Sequence, residues 1–132
     1  MESEQTSVRR PLILVAEDDD SNFKLIKAII GKKCDIQWAK NGEEIVALFK
    51  EYGNEAKAIL MDIKMPVMNG LDATKIIRGE NKEIPIIMQT AYAFSSDKEN
   101  AMNAGASEVL VKPITLSILR NTLTKYFPEL VW

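Results

Sequence analysis

The feature that most constrains this chain is an unbroken apolar run, Leu12-Ile13-Leu14-Val15-Ala16, that passes directly into four acidic residues, Glu17 to Asp20. A strand with one wet face alternates apolar and polar side chains, so a run without a polar position needs cover on both faces. The pattern recurs. Ala58-Ile59-Leu60-Met61 ends in Asp62, Ile86-Ile87-Met88-Gln89 leads to Thr90, and Glu108 to Val111 leads to Lys112. Together with Cys34 to Ala39, these segments predict five strands.

The segments between them carry helical spacing. Asn22, Leu25, Ile26, Ile29 and Ile30 share one face of a first helix that stops at Gly31. Ile45, Leu48, Phe49 and Tyr52 mark a second, opened by Asn41-Gly42-Glu43-Glu44 and closed by Gly53. A third runs from Gly70 to Ile77, and a fourth from about Ser96 to Ala104 with Gly105 as its C-cap. Leu116, Leu119, Leu123 and Phe127 mark the last. Strands and helices that alternate through short connections make right-handed parallel crossovers, which gives a doubly wound α/β fold: a five-stranded parallel sheet with five helices on its two faces. Lys64 to Asn69 and Thr90 to Ser95 read as loops. Residues 1–10 read as a flexible tail, 11–127 as the domain and 128–132 as a C-terminal tail.

Composition excludes several functions. The 132 residues suit one domain, and a net charge of −2 lacks the basic excess of a nucleic-acid surface, so no direct nucleic-acid contact is expected. No apolar run is long enough to insert in a membrane, and Met1 to Arg10 is polar without a signal-peptide core, which makes the cytoplasm the default compartment. The single Cys34 has no intrachain partner and reads, with Trp38, as strand packing. The chain has no histidine. That rules out a Ser-His-Asp triad, a His-containing zinc site and a phosphohistidine carried by the chain itself.

In a parallel sheet, ligand chemistry gathers where the strands end. Glu17 to Asp20 follow the first strand, Asp62 the third, Thr90 the fourth and Lys112 the fifth, all on one rim. Taken singly, each has an ordinary reading: a solvated helix start, a cap, a turn threonine, a surface lysine. Their convergence is the signal. Carboxylates only a few ångströms apart repel by about 4 kcal/mol per pair at an effective dielectric near 20, so a cation must offset them. Mg²⁺ suits such oxygen ligands and leaves positions for phosphate oxygens. With Mg²⁺ and Lys112 shielding charge, the Asp62 carboxylate could act as a nucleophile and form an acyl phosphate.

The segments Ile13-Leu14-Val15-Ala16-Glu17-Asp18, Leu60 to Gly70 with its Asp-x-x-Met-Pro-x-Met-x-Gly pattern, Gln89-Thr90-Ala91 and Val111-Lys112-Pro113 are similar, in order and spacing, to the response-regulator receiver family. The resemblance covers residues 11–127. It implies a flavodoxin-like, CheY-like fold in which Glu17, Asp18, Asp62 and the backbone carbonyl of Lys64 hold Mg²⁺ and Asp62 is phosphorylated. It further implies that Thr90 bonds the phosphoryl group, Ala91 leaves room for it, Lys112 forms the ion pair and Pro113 follows a cis peptide. Function then follows as an expectation. The chain is a phosphoacceptor in a His-Asp phosphorelay that takes its phosphoryl group from a histidine kinase or histidine phosphotransfer domain. It assists its own phosphorylation and dephosphorylation, and it switches an interaction surface of the fourth helix, fifth strand and fifth helix for a downstream protein partner. Ala16-Glu17-Asp18 with Gln89-Thr90-Ala91-Tyr92-Ala93 resembles the receivers of hybrid histidine kinases in particular.

Two positions depart from the family pattern. Receivers usually carry Tyr or Phe where this chain has Val109, so the switch is expected to pass through backbone and loop movement, with Tyr92 or Phe94 involved. The run of acids leaves either Asp19 or Asp20 as a helix N-cap. Competing classes fit less well. Aspartyl phosphatases and phosphotransferases place a second aspartate two residues after the nucleophile, where this chain has Lys64. A flavodoxin-like cofactor binder would need a Ser/Thr/Gly-rich phosphate loop after the first strand, where acids stand instead.

Overall fold

The computed structural model describes residues 10–91 and 96–132. Five strands, β1 (Leu12–Ala16), β2 (Asp35–Ala39), β3 (Ala56–Asp62), β4 (Ile86–Thr90) and β5 (Glu108–Val111), alternate with five helices. The helices are α1 (Asp20–Ile30), α2 (Gly42–Tyr52), α3 (Gly70–Arg78), α4 (Asp97–Ala104) and α5 (Leu116–Tyr126). All four strand pairings are parallel, in the order β2-β1-β3-β4-β5.

The two-residue period of a strand explains why the runs are apolar throughout. Leu14 and Ala16, Ile59 and Met61, and Ile86 and Met88 face a core with Ile45, Phe49 and Ile77 from α2 and α3. The alternate residues Ile13 and Val15, Leu60 and Ile87 face Phe23, Ile26 and Ile30 of α1 and Leu119 and Leu123 of α5. Each of these side chains larger than alanine, fully buried, contributes about 1.5–3 kcal/mol, and a polar residue in its place would forfeit that on one face or the other.

Four helices begin with a side-chain cap. Asp19, Asn41, Asn69 and Thr115 each accept a bond from the backbone N–H three residues on. Asp19 is therefore the cap of α1, which settles the choice between it and Asp20. The buried stripe of α1 is Phe23, Ile26, Ile29 and Ile30. Leu25, expected on that stripe, is 44% exposed. Gly105 ends α4 with φ 117°, a left-handed conformation that a side chain adopts only under strain.

The ends of the described chain are tied down. Arg10 Nε donates to Asp35 Oδ1 at 2.8 Å and its guanidinium also caps the Cys34 carbonyl at 2.9 Å. Trp132, to which the sequence assigns no role, donates to Thr124 Oγ1 at 3.0 Å, and its ring takes the Arg120 guanidinium 5.0 Å from its centroid.

Candidate functional site

Strand register builds the site. Ala16 pairs with Met61 across β1 and β3, so the next residues, Glu17 and Asp62, leave adjacent strands side by side. The order of the sheet reverses at this point, with the connections after β1 and β3 turning to opposite faces, which opens a cleft there. Thr90 pairs with Val111, and the Lys112 N–H then donates to the Thr90 carbonyl at 2.7 Å, which turns Lys112 back over the rim. The Lys112–Pro113 peptide is cis, as expected from the resemblance.

The side chains meet. Lys112 Nζ lies 2.9 Å from Asp62 Oδ2 and 3.6 Å from Glu17 Oε1. One carboxylate oxygen from each of Glu17, Asp18 and Asp62 lies within 4.8 Å of the other two. Glu17 and Asp62 are buried, whereas Asp18 is exposed at the mouth. Glycine permits the approach of the next loop: a Cβ on Gly70, at the start of α3, would run into the carbonyl oxygen of Asp62.

Electrostatics show a site short of positive charge. Burial first, then the neighbouring Asp62 charge, push the Glu17 carboxyl up to about 7, against the opposing pull of the Asp19 N–H and Lys112. Glu17 Oε1 is buried and has no hydrogen-bond partner among the described residues. Burial alone would lower the Lys112 ammonium, but its bond to Asp62 and the charges of Asp62 and Glu17 outweigh that and raise it. It is therefore charged at neutral pH. A buried carboxylate oxygen with no hydrogen bond and only a 3.6 Å ion pair to Lys112, within a cluster of oxygen donors, fits a hard divalent cation and suits a soft one poorly.

The remaining expected residues are placed as follows. Lys64 is exposed, two residues past Asp62, so the role of its carbonyl rests on motif position alone. Thr90 is buried, and its Oγ1 donates to Asp97 Oδ2 of α4 at 3.2 Å, a link the sequence did not suggest. Ala91 is exposed at the end of β4. Tyr92 and Phe94 lie outside the described residues. Val109 packs against the core on the α2–α3–α4 face. Cys34 is buried, and burial lifts its thiol to about 11, as befits an inert packing residue.

Sequence reasoning missed two further features. Trp38, read as packing alone, donates its indole N–H to the Glu17 carbonyl at 2.8 Å. Val67, in the loop after Asp62, has φ 70°, and the Met68 N–H bonds back to the Pro66 carbonyl at 2.7 Å across it. A β-branched residue is rare in that conformation, and nothing in the local sequence announces it.

The model of the response regulator receiver domain family matches residues 13–124. Hybrid signal transduction histidine kinase I of Dictyostelium discoideum is 38% identical, over 89% of this chain and 7% of the kinase, so the chain spans less than a tenth of that relative. Among solved structures, the receiver domain of sensor histidine kinase PA1611 from Pseudomonas aeruginosa, with a magnesium ion coordinated in its active site cleft, is 30% identical. It superposes with a TM-score of 0.84 over 92% of this chain and 100% of that one. The receiver domain of the Saccharomyces cerevisiae response regulator Ssk1, in complex with the histidine phosphotransfer protein Ypd1, is 28% identical, with a TM-score of 0.83 and 94% of each chain covered.

Proposed function

This chain belongs to the response regulator receiver domain family, and on that premise we propose that Asp62 is the phosphoacceptor through which it serves a two-component His-Asp phosphorelay. One observation carries the reading: the Asp62 carboxylate at the end of β3, bonded at 2.9 Å by Lys112 and clustered with Glu17 and Asp18. An oxygen of Asp62 attacks the phosphorus of a phosphohistidine on a partner protein. The P–N bond breaks, the imidazole leaves on the partner, and an acyl phosphate remains on Asp62. Lys112 meets the charge that arrives with the phosphoryl oxygens. Mg²⁺ held by Glu17, Asp18, Asp62 and the Lys64 carbonyl would supply further positive charge against those oxygens. Because the site needs only position and charge for this step, the same residues assist the hydrolysis that returns Asp62 to its free form.

The donor is a histidine kinase or a histidine phosphotransfer domain. Exposed Leu25 on α1, with Pro113 and Ile114 beyond Lys112, borders a recess beside the site and offers an apolar edge for such a partner. The output runs through Thr90. A phosphoryl group competes with Asp97 for the Thr90 hydroxyl, and Asp97 is the first residue of α4. Loss of that tie loosens α4 against β4 and β5, and Met102 on α4 with Leu116 and Ile118 on α5 stand exposed for a downstream protein. No helix among the described residues is long and apolar enough to cross a membrane, and the cytoplasm is the compartment proposed. With Lys64 where phosphatases keep an acid–base aspartate, the chain works as a signalling module rather than as an enzyme on small substrates.

The test is transfer from a purified histidine phosphotransfer protein carrying radiolabelled phosphohistidine. Label should move to the wild-type chain within minutes and not to Asp62→Asn. Label retained by the donor with both chains would overturn the reading.

A further inference from the structure

Three side chains outside the phosphoryl chemistry are assembled against the acidic end of β1. The ring of Trp38, near the end of β2, lies parallel to that of Phe23 on α1, with centroids 3.9 Å apart and planes 1° apart. Lys40 Nζ sits 4.7 Å from the centroid of the Trp38 ring and 3.4 Å from Asp20 Oδ1. Between this stack and this cation the indole has little freedom to turn. In that orientation its N–H reaches the Glu17 carbonyl at 2.8 Å.

The choice of acceptor matters. β1 ends at Ala16, and the Glu17 N–H still bonds the Ala39 carbonyl at 2.9 Å, but the Glu17 carbonyl belongs to the peptide that carries the chain into Asp18. Rotation of that peptide swings the exposed Asp18 carboxylate relative to the buried Glu17 carboxylate. A packed tryptophan usually finds some acceptor for its indole N–H, so the informative point is which acceptor it takes. Here the acceptor is the carbonyl of the peptide that joins two of the three clustered acids.

We propose that Trp38 is a positioning residue, whose indole N–H fixes the Glu17–Asp18 peptide so that both carboxylates face one divalent cation. The inference rests on the cation-binding reading of the site. Removing one such hydrogen bond lowers affinity for the cation by about three- to tenfold.

The experiment is a Mg²⁺ titration of the full chain, followed by amide and indole NMR signals, on wild type, Trp38→Phe, Asp18→Ala and the double variant. Phenylalanine keeps a flat ring against Phe23 and removes only the donor. Trp38→Phe is expected to weaken Mg²⁺ about three- to tenfold, and to add nothing further in the Asp18→Ala background. In wild type the Trp38 indole signal should move with Mg²⁺ while that of Trp132 stays in place. Wild-type affinity in Trp38→Phe would overturn the positioning role and leave the cation site standing. A wild-type chain with no saturable Mg²⁺ response would overturn both. Should Trp38→Phe fail to fold, the wild-type indole signal decides: a still Trp38 resonance beside shifting Glu17 and Asp18 amides refutes the proposal.

Discussion

Replacing Glu17 with glutamine removes a carboxyl whose ionisation the fold opposes. Glu17 is fully buried beside Asp62, and burial followed by the Asp62 charge raises it from 4.5 to about 7. Between those two values the folded chain holds a proton that the unfolded chain has released. Stability of the cation-free protein therefore falls as pH rises through this window, with no penalty below it and the full penalty above. At about 1.4 kcal/mol per unit of displacement, the full penalty is roughly 3 kcal/mol. Glutamine has nearly the same shape, keeps an oxygen for the Asp19 N–H and carries no charge. In excess chelator, urea unfolding should show Glu17→Gln more stable than wild type by about 1–3 kcal/mol near pH 8, with the gap closing near pH 4.5. Saturating Mg²⁺ should reverse the order, since wild type alone keeps the ligand. A constant difference between the two proteins from pH 4.5 to pH 8 would refute the reasoning, because it would mean that Glu17 ionises as freely in the fold as outside it.

Three further outcomes follow from neighbouring contacts. Lys112→Ala should destabilise the cation-free protein by about 2 kcal/mol at neutral pH, short of the cost for a fully buried pair because the lysine side chain is 21% exposed; it should still accept a phosphoryl group but with a blunted shift of α4 resonances, and a wild-type shift would show that the switch bypasses this residue. Val67→Asn should raise the unfolding midpoint by the equivalent of about 1 kcal/mol, since asparagine tolerates a φ of 70° and the side chain is 73% exposed; a lowered midpoint contradicts the strain. Asp97→Ala, which removes the 3.2 Å bond to the Thr90 hydroxyl, should tighten binding of a beryllofluoride phosphoryl mimic about three- to tenfold, and unchanged binding would show that this bond does not hold the resting state.

What the sequence makes legible is what periodicity and strand order control. Runs such as Leu12 to Ala16 and Ile86 to Met88 have no polar position, so a doubly covered parallel sheet is their only economical home, and the ends of its strands must share a rim. From there the approach of Glu17, Asp62 and Lys112 follows by register. The orientation of α1 was less legible. A stripe through Asn22, Leu25 and Ile26 and one through Phe23, Ile26 and Ile30 are both helical, and the choice between them depends on how Phe23 meets Trp38. The Trp38–Glu17 and Thr90–Asp97 bonds were illegible for a related reason. Each joins elements whose relative tilt arises only when whole faces pack, and neither partner type identifies the other. Val67 is illegible in a stronger sense, because its residue type argues against the conformation that the Asp62 loop imposes.

The claim on which all of this depends is that Asp62 is the nucleophile of a cation-assisted site, and intact-mass spectrometry after incubation with acetyl phosphate addresses it most directly. The wild-type chain in Mg²⁺ should gain a single phosphate, lost on brief alkaline treatment as an acyl phosphate is. Asp62→Asn in Mg²⁺, and wild type in chelator, should gain none. Equal phosphate on Asp62→Asn would place the chemistry on another residue and contradict the account.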